Sequence, residues 1–183
     1  LDRKGKIVVT GVGKSGKVGE KIAATLTSTG SVALFMHPTE GLHGDLGVIQ
    51  PQDVVLAISY TGNTEELIRI LPSLRGLGVS VVSMCGKPDS KLAKESTVCL
   101  DVSVENEACP HNLAPTASTT LSLACGDALA MALMKLRGFD VERFAKNHPG
   151  GSLGSRLTLK VSDLMRPREE VGILFEGALM REI

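Results

Sequence analysis

Two glycine-punctuated loops carry the first chemical signal in this 183-residue chain. Gly11-Val12-Gly13-Lys14-Ser15-Gly16 joins a strand-like run to a helix-like one. A turn of that kind offers backbone N–H groups to an anion, and Lys14 supplies a charge. The same letters fit a dinucleotide fingerprint, but such a site also wants an acid at the end of the second strand. There the chain reads Phe35-Met36-His37-Pro38, and the first acid is Glu40, beyond a proline. A P-loop fails too, because Val8 stands where its earlier glycine belongs. The second loop is Ser59-Tyr60-Thr61-Gly62-Asn63-Thr64. Its hydroxyls and the helix start after it make another anion cradle, although the same residues also suit a plain helix cap. Two anion loops without a nucleotide-binding acid suggest a small phosphorylated molecule.

Acids and histidines supply candidates for proton transfer. Glu105-Asn106-Glu107 follows the last strand-like run, and Glu66 falls in the first turn of the helix after the hydroxyl loop. A carboxyl group near few cations can have a raised pKa and serve as acid or base, though most surface glutamates do neither. The four histidines are His37, His43, His111 and His148. None shows H-x-x-x-H spacing, and Cys109-Pro110-His111 is no zinc knuckle, so no structural metal is expected. His148 opens a glycine-rich stretch without strand or helix pattern, where an imidazole suits proton transfer near neutral pH. The cysteines, Cys85, Cys99, Cys109 and Cys125, have no C-x-x-C spacing and read as reduced thiols of a cytosolic protein.

These residues need a scaffold, and apolar runs alternating with helical patterns provide it. Strands are predicted at 6–10, 32–35, 53–59, 79–84 and 98–102. Helices are predicted at 15–29, 64–77, 90–95 and 116–137. Near-continuous Val/Ile/Leu strands separated by helices indicate a parallel sheet covered on both faces, hence a three-layer α/β/α sandwich. Pro72 should kink or end its helix, since proline disfavours a helix interior by ~3 kcal/mol. Thr116 and Ser118 are the candidate caps of the long helix, whose small-residue centre, Ala124 to Ala128, suits close packing.

Composition excludes several classes. Lys+Arg and Asp+Glu both total 20, so no basic surplus points to nucleic acid. Aromatics are 3%, too few for base-stacking platforms. No uninterrupted apolar run approaches the ~18 residues of a membrane span. The chain begins almost inside a strand pattern, as a piece of a longer protein would.

In order along the chain, Gly-Val-Gly-Lys-Ser-Gly, His-Gly-Asp-Leu-Gly at 43–47, the Ser59–Thr64 loop, Glu-Ala-Cys-Pro…Leu-Ala-Pro-Thr at 107–116, Gly-Asp-Ala-Leu-Ala at 126–130 and His-Pro-Gly-Gly-Ser-Leu-Gly at 148–154 resemble the D-arabinose 5-phosphate isomerases. These are sugar isomerase (SIS) domain proteins. The resemblance implies a five-stranded, flavodoxin-like sheet and an aldose–ketose isomerase interconverting D-ribulose 5-phosphate and D-arabinose 5-phosphate. Such a step feeds 3-deoxy-octulosonate synthesis for lipopolysaccharide or capsule. It implies catalytic roles for Lys14, Glu66, Glu107 and His148. Substrate contacts fall on Gly13, Ser15, His43, Ser59, Thr61, Gly62, Asn63 and Thr64. No cofactor is required, and zinc is an inhibitory ligand at the position of His37. The expected partner is a small phosphorylated sugar, with neither nucleic acid nor membrane. The expected assembly is a cytoplasmic homotetramer with sites shared between subunits. Residues 1–160 would form the SIS domain, and 161–183 a linker with the start of a truncated CBS region, where Val161-Ser162-Asp163-Leu164-Met165 resembles the entry to a first CBS repeat. A non-catalytic phosphosugar-binding SIS module is the alternative. It needs the Ser59–Thr64 cradle but neither Glu107 nor His148.

Overall fold

The computed structural model describes residues 5–149, 154 and 159–172. Five short strands form one sheet: β1 (Ile7–Gly11), β2 (Ala33–Phe35), β3 (Val54–Ile58), β4 (Ser80–Cys85) and β5 (Val98–Asp101). All pair in parallel, in the order β2-β1-β3-β4-β5. Alternation along each strand splits the core between two faces. Val8, Val55, Ala57, Val81 and Cys85 face one cluster with Leu67, Ile70, Leu71 and Leu74. Val9, Leu56, Ile58 and Met84 face the other with Ile22, Leu26 and Ala130. Helices therefore cover both sides: α1 (Gly13–Ser28) and α5 (Ala117–Leu136) on one, α3 (Glu65–Gly76) and α4 (Lys91–Glu95) on the other. This is the predicted three-layer sandwich.

Differences from expectation have local causes. Pro72 does not end α3, which runs to Gly76. It is exposed, while Leu67, Ile70, Leu71 and Leu74 are buried around it. Four such side chains at ~1.5–3 kcal/mol each outweigh the proline penalty. A short helix, α2 (Pro38–Leu42), and a 3-10 turn (Asp45–Val48) occupy the glycine-rich stretch after β2, where no element was expected. α5 is long and apolar enough to cross a membrane by length and composition, which a search for uninterrupted apolar runs overlooked. Here it is a layer of the sandwich. Its Gly126 packs where a Cβ would sit 2.3 Å from Ile22 of α1, and Asp127 pairs with Lys21 at 2.5 Å.

At the amino end of the sheet, Asp53 is almost fully buried and gathers three donors. The Lys6 N–H reaches Oδ1 at 2.9 Å, the Lys6 ammonium Oδ2 at 2.5 Å, and the Gln50 N–H Oδ2 at 2.8 Å. Burial alone would raise the Asp53 pKa, but these bonds win and lower it. Asp53→Ala is expected to cost ~2 kcal/mol in urea unfolding at pH 7, because it strands a half-buried cation and two N–H groups. With the folded pKa depressed, this stability is present above the unfolded value near 3.8 and fades as pH falls below it.

Two compact units divide the chain, one up to Phe144 and one from Ala145 on. α6 (Val141–Asn147) spans the division. The second unit contains α7 (Val161–Leu164) and a 3-10 turn (Arg168–Glu170), both exposed.

Candidate active site

Strand order reverses between β1 and β3, and in open α/β sheets ligands bind outside the carboxyl ends of the strands at such a point. A cleft of about 470 Å³ lies there. One wall comes from the loop after β1 and the loop after β3: Val12, Lys14, Ser15, Tyr60 and Thr61. The other comes from the segment after β5 and the start of α5, including Glu105, Glu107, Ser118, Thr119 and Ser122. Another hollow, about 280 Å³, lies at the amino ends of the strands and is lined mainly by aliphatic side chains such as Leu129 and Leu133. Lys6, Gln52 and Arg137 also line it, but it is at the wrong end of the sheet for a ligand of this fold.

The first loop behaves as the sequence suggests. Gly13 opens α1, followed directly by Lys14 and Ser15. Lys14 is exposed and makes no hydrogen bond or ion pair among the described residues. In the second loop the hydroxyls divide their work. Ser59 is buried, bonded to the Thr64 hydroxyl at 2.7 Å, and accepts the Gly62 N–H at 3.0 Å. Gly62 sits at φ +62 against Ser90, a place that no side chain could share. Asn63 Oδ1 accepts the Lys91 N–H at 3.2 Å, tying the loop to α4. Thr64 occupies the N-cap position of α3 without a side-chain bond to that helix. Of the predicted substrate contacts in this loop, only Thr61 lines the cleft.

Glu107 differs from expectation. Its Oε2 accepts the Thr116 N–H at 2.8 Å, the Thr116 hydroxyl at 3.1 Å and the Ser118 N–H at 3.1 Å, while the Ser118 hydroxyl donates to Oε1. The Ser118 hydroxyl first, then the Thr116 N–H, pull its pKa from 4.5 to about 2, against a smaller opposing effect of desolvation. The carboxyl group is therefore lowered, not raised. It also does the capping work predicted for Thr116 and Ser118, neither of which caps α5 with its own side chain.

Other predicted residues lie elsewhere. Glu66 is half-buried in the first turn of α3 and does not line the cleft. His43 is exposed at the C-cap of α2. His37 lines a separate open hollow with Asp45 and caps α2, its Nδ1 accepting the Thr39 N–H at 3.3 Å. That bond needs Nδ1 unprotonated, so the proton of the neutral ring sits on Nε2, and a metal at Nε2 would have to displace it. Among the described residues no group of three His, Cys, Asp or Glu side chains is placed to hold a metal ion. His148 belongs to the second unit and is half-buried. The Gly150, Gly151 and Leu153 positions of its motif lie outside the described residues. All four cysteines are free, with Cys85 buried and the others half-buried.

Sequence reasoning missed Tyr60 as a cleft residue. It is the only tyrosine, and its hydroxyl donates to the Val104 carbonyl at 3.2 Å and accepts the Val104 N–H at 3.3 Å, joining the two walls. It also missed Thr119 and Ser122 as site residues, although hydroxyls clustered at one end of an apolar helix were a usable signal.

The family model for the SIS domain matches residues 1–132. The chain belongs to the SIS-domain family. Within it, the chain is 55% identical to the arabinose 5-phosphate isomerase KdsD of Pseudomonas aeruginosa over 185 residues, 98% of this chain and 57% of that protein. It is 56% identical to GutQ of Escherichia coli K12, also an arabinose 5-phosphate isomerase, over 91% of this chain and 52% of the relative. The chain thus spans about half the length of the curated relatives it matches. A solved Escherichia coli CFT073 SIS structure, in complex with arabinose 5-phosphate, superposes with TM-score 0.78 at 42% identity, covering 80% of this chain and 78% of that one.

Proposed function

We propose that this SIS domain is the catalytic part of an aldose–ketose isomerase that interconverts D-ribulose 5-phosphate and D-arabinose 5-phosphate. The observation that carries the reading is the cleft at the carboxyl edge of the sheet where strand order reverses. It sets a lysine with no partner among the described residues, and a threonine hydroxyl, opposite two glutamates and a row of helix hydroxyls. The relatives' activity and the sugar phosphate in the solved relative support the same substrate class.

The reaction moves one proton between C1 and C2 through a cis-enediolate, so it needs a base at carbon, a carrier between the oxygens and charge stabilisation. Lys14 neutralises the phosphate or the enediolate, with Ser15, Thr61 and the backbone of the two loops around the phosphate. Ser59, Gly62, Asn63 and Thr64 hold the second loop in shape. The resemblance gives Glu107 a catalytic role, which would make it a candidate for the base. Its four donors and low pKa now support a different role, that of a positioning anion fixing the start of α5. The family resemblance gives proton transfer to Glu66 and His148.

The same reading places the protein in the cytoplasm, as a homotetramer with shared sites, ahead of a CBS region, on the route to 3-deoxy-octulosonate. Self-association is supported by the outward face of α5, where Leu121, Met131 and Leu136 are 38%, 47% and 61% exposed. No cofactor is needed, and zinc acts only as an inhibitor.

The test is incubation with D-arabinose 5-phosphate and a panel of other pentose and hexose phosphates, with and without a chelator, scoring ketose formation. The expected result is turnover of arabinose 5-phosphate that chelation leaves unchanged or raises. No turnover of any sugar phosphate overturns the reading in favour of a non-catalytic phosphosugar-binding module.

A further inference from the structure

The two walls of the cleft differ in which hydrogen-bonding partner they have left to offer. A hydroxyl has one proton, and once that proton is committed the oxygen can only accept. On the α5 wall every hydroxyl proton is committed. Ser118 donates to Glu107, Thr119 to the Thr116 carbonyl at 2.9 Å, and Ser122 to the Ser118 carbonyl at 2.8 Å. Glu105, also on this side, is a carboxylate, an acceptor by nature, whereas the amides of Asn106 and Asn112 on the same segment carry N–H donors, one of them bonding Asn112 to Asn106 Oδ1 at 3.2 Å. On the opposite wall the Tyr60 hydroxyl has given its proton to the Val104 carbonyl, but Thr61 and Lys14 are the reverse. Thr61 Oγ1 already accepts the Asn63 N–H at 3.3 Å, which leaves its proton to give. Lys14 has three N–H groups and no partner among the described residues.

A phosphate dianion accepts hydrogen bonds and has none to donate. A sugar hydroxyl donates readily. We propose that the α5 wall reads the sugar: Thr119, with Ser122 behind it, accepts a hydrogen bond from a substrate hydroxyl and so turns the phosphate toward Lys14 and Thr61. Thr119 is half-buried at the cleft surface, whereas Ser122 is 6% exposed, so Thr119 makes the contact. This inference rests on the isomerase reading for the identity of the ligand. Its physical basis, α5 hydroxyls that can only accept set against Lys14 and Thr61 that can donate, holds for any polyol phosphate. Neither Thr119 nor Ser122 follows from the motif resemblance. Both follow from where their protons are spent.

The test is calorimetric binding of two probes, inorganic phosphate and D-arabinitol 5-phosphate, a polyol phosphate with no carbonyl to isomerise. Thr119→Val keeps the shape and removes the oxygen. It is expected to weaken arabinitol 5-phosphate about fivefold, the worth of one neutral hydrogen bond, and to leave inorganic phosphate unchanged. Thr119→Ser keeps the oxygen and should bind both probes like the unaltered chain. Lys14→Met should weaken both probes together. If Thr119→Val weakens the two probes equally, or neither, the assignment is overturned. Should the valine variant fail to fold, Thr119→Ala tests the same oxygen with the same two outcomes. Because no turnover is required, failure of this inference is separable from failure of the isomerase reading, which the sugar-phosphate panel decides.

Discussion

Glu107→Gln is expected to lower the melting temperature at pH 7 by roughly 5 °C and to slow isomerisation by about a hundredfold, without abolishing it. The carboxylate of Glu107 takes four hydrogen bonds from the start of α5, two from backbone N–H groups that no other side chain caps. An amide in its place turns an NH₂ toward some of those donors and removes the charge that the helix N-terminus favours. The start of α5 then loosens, and with it Ser118, Thr119 and Ser122 on the cleft wall. A displacement near 1 Å is enough for a loss of that size.

The sign with pH distinguishes this role from that of a carbon base. The carboxyl pKa is lowered from 4.5 to about 2 in the folded chain. Its stabilising effect is therefore complete above about 4.5 and fades as pH falls toward 2. The melting-temperature gap between the unaltered chain and Glu107→Gln should be constant from pH 5 to 8 and close below that window. Calorimetric melts across pH 2–8, with C2-proton exchange in deuterated water at pH 7, make the comparison. Unchanged melting at pH 7 together with complete loss of exchange would make Glu107 the base. A group with a pKa of about 2 is a poor match for proton abstraction near neutrality, where a base titrating close to the working pH does better.

How much of this could be read from the chain follows from how local each interaction is. β1 and β3 are near-continuous aliphatic runs and β4 joins two valines to Met84 and Cys85, a pattern that needs no knowledge of neighbours, and each lies within a residue of its predicted ends. Strand order then placed the loops at Gly11–Gly16 and Ser59–Thr64 side by side at one edge. The failures are long-range or rely on unusual caps. Local rules proposed Thr116 and Ser118 as caps of α5, yet the capping group comes from Glu107, nine and eleven residues earlier. α2 begins at Pro38 with His37 as its cap, outside the usual Ser, Thr, Asp and Asn set, so a proline-histidine pair read as loop. The hydroxyl loop was legible as a cradle. Which of its hydroxyls face inward depends on Ser59 pairing with Thr64 and on Asn63 reaching α4, and no spacing rule encodes that.

Lys14→Met is expected to reduce kcat/KM for arabinose 5-phosphate by about 10²–10³-fold while leaving the melting temperature unchanged or slightly raised. Lys14 stands at the second residue of α1, where the helix dipole presents its positive end and a cation is unfavourable. No acid occupies that first turn, and among the described residues Lys14 has no partner. Nothing in the folding of the chain accounts for a lysine there, so removing it should not destabilise the fold. The same features make it costly to lose in catalysis. Helix N–H groups and one unpaired ammonium converge on the cleft where a phosphate or an enediolate oxygen would carry charge. Lys17, one turn further along α1, is the internal control. It is exposed and already pairs with Glu20 at 2.9 Å, so Lys17→Met should leave kcat/KM within twofold. Steady-state kinetics at two ionic strengths, with melts of all three proteins, decides the matter. A large fall in melting temperature for Lys14→Met, or equal losses of activity at both lysines, would mean that Lys14 acts through general surface charge and not at the cleft.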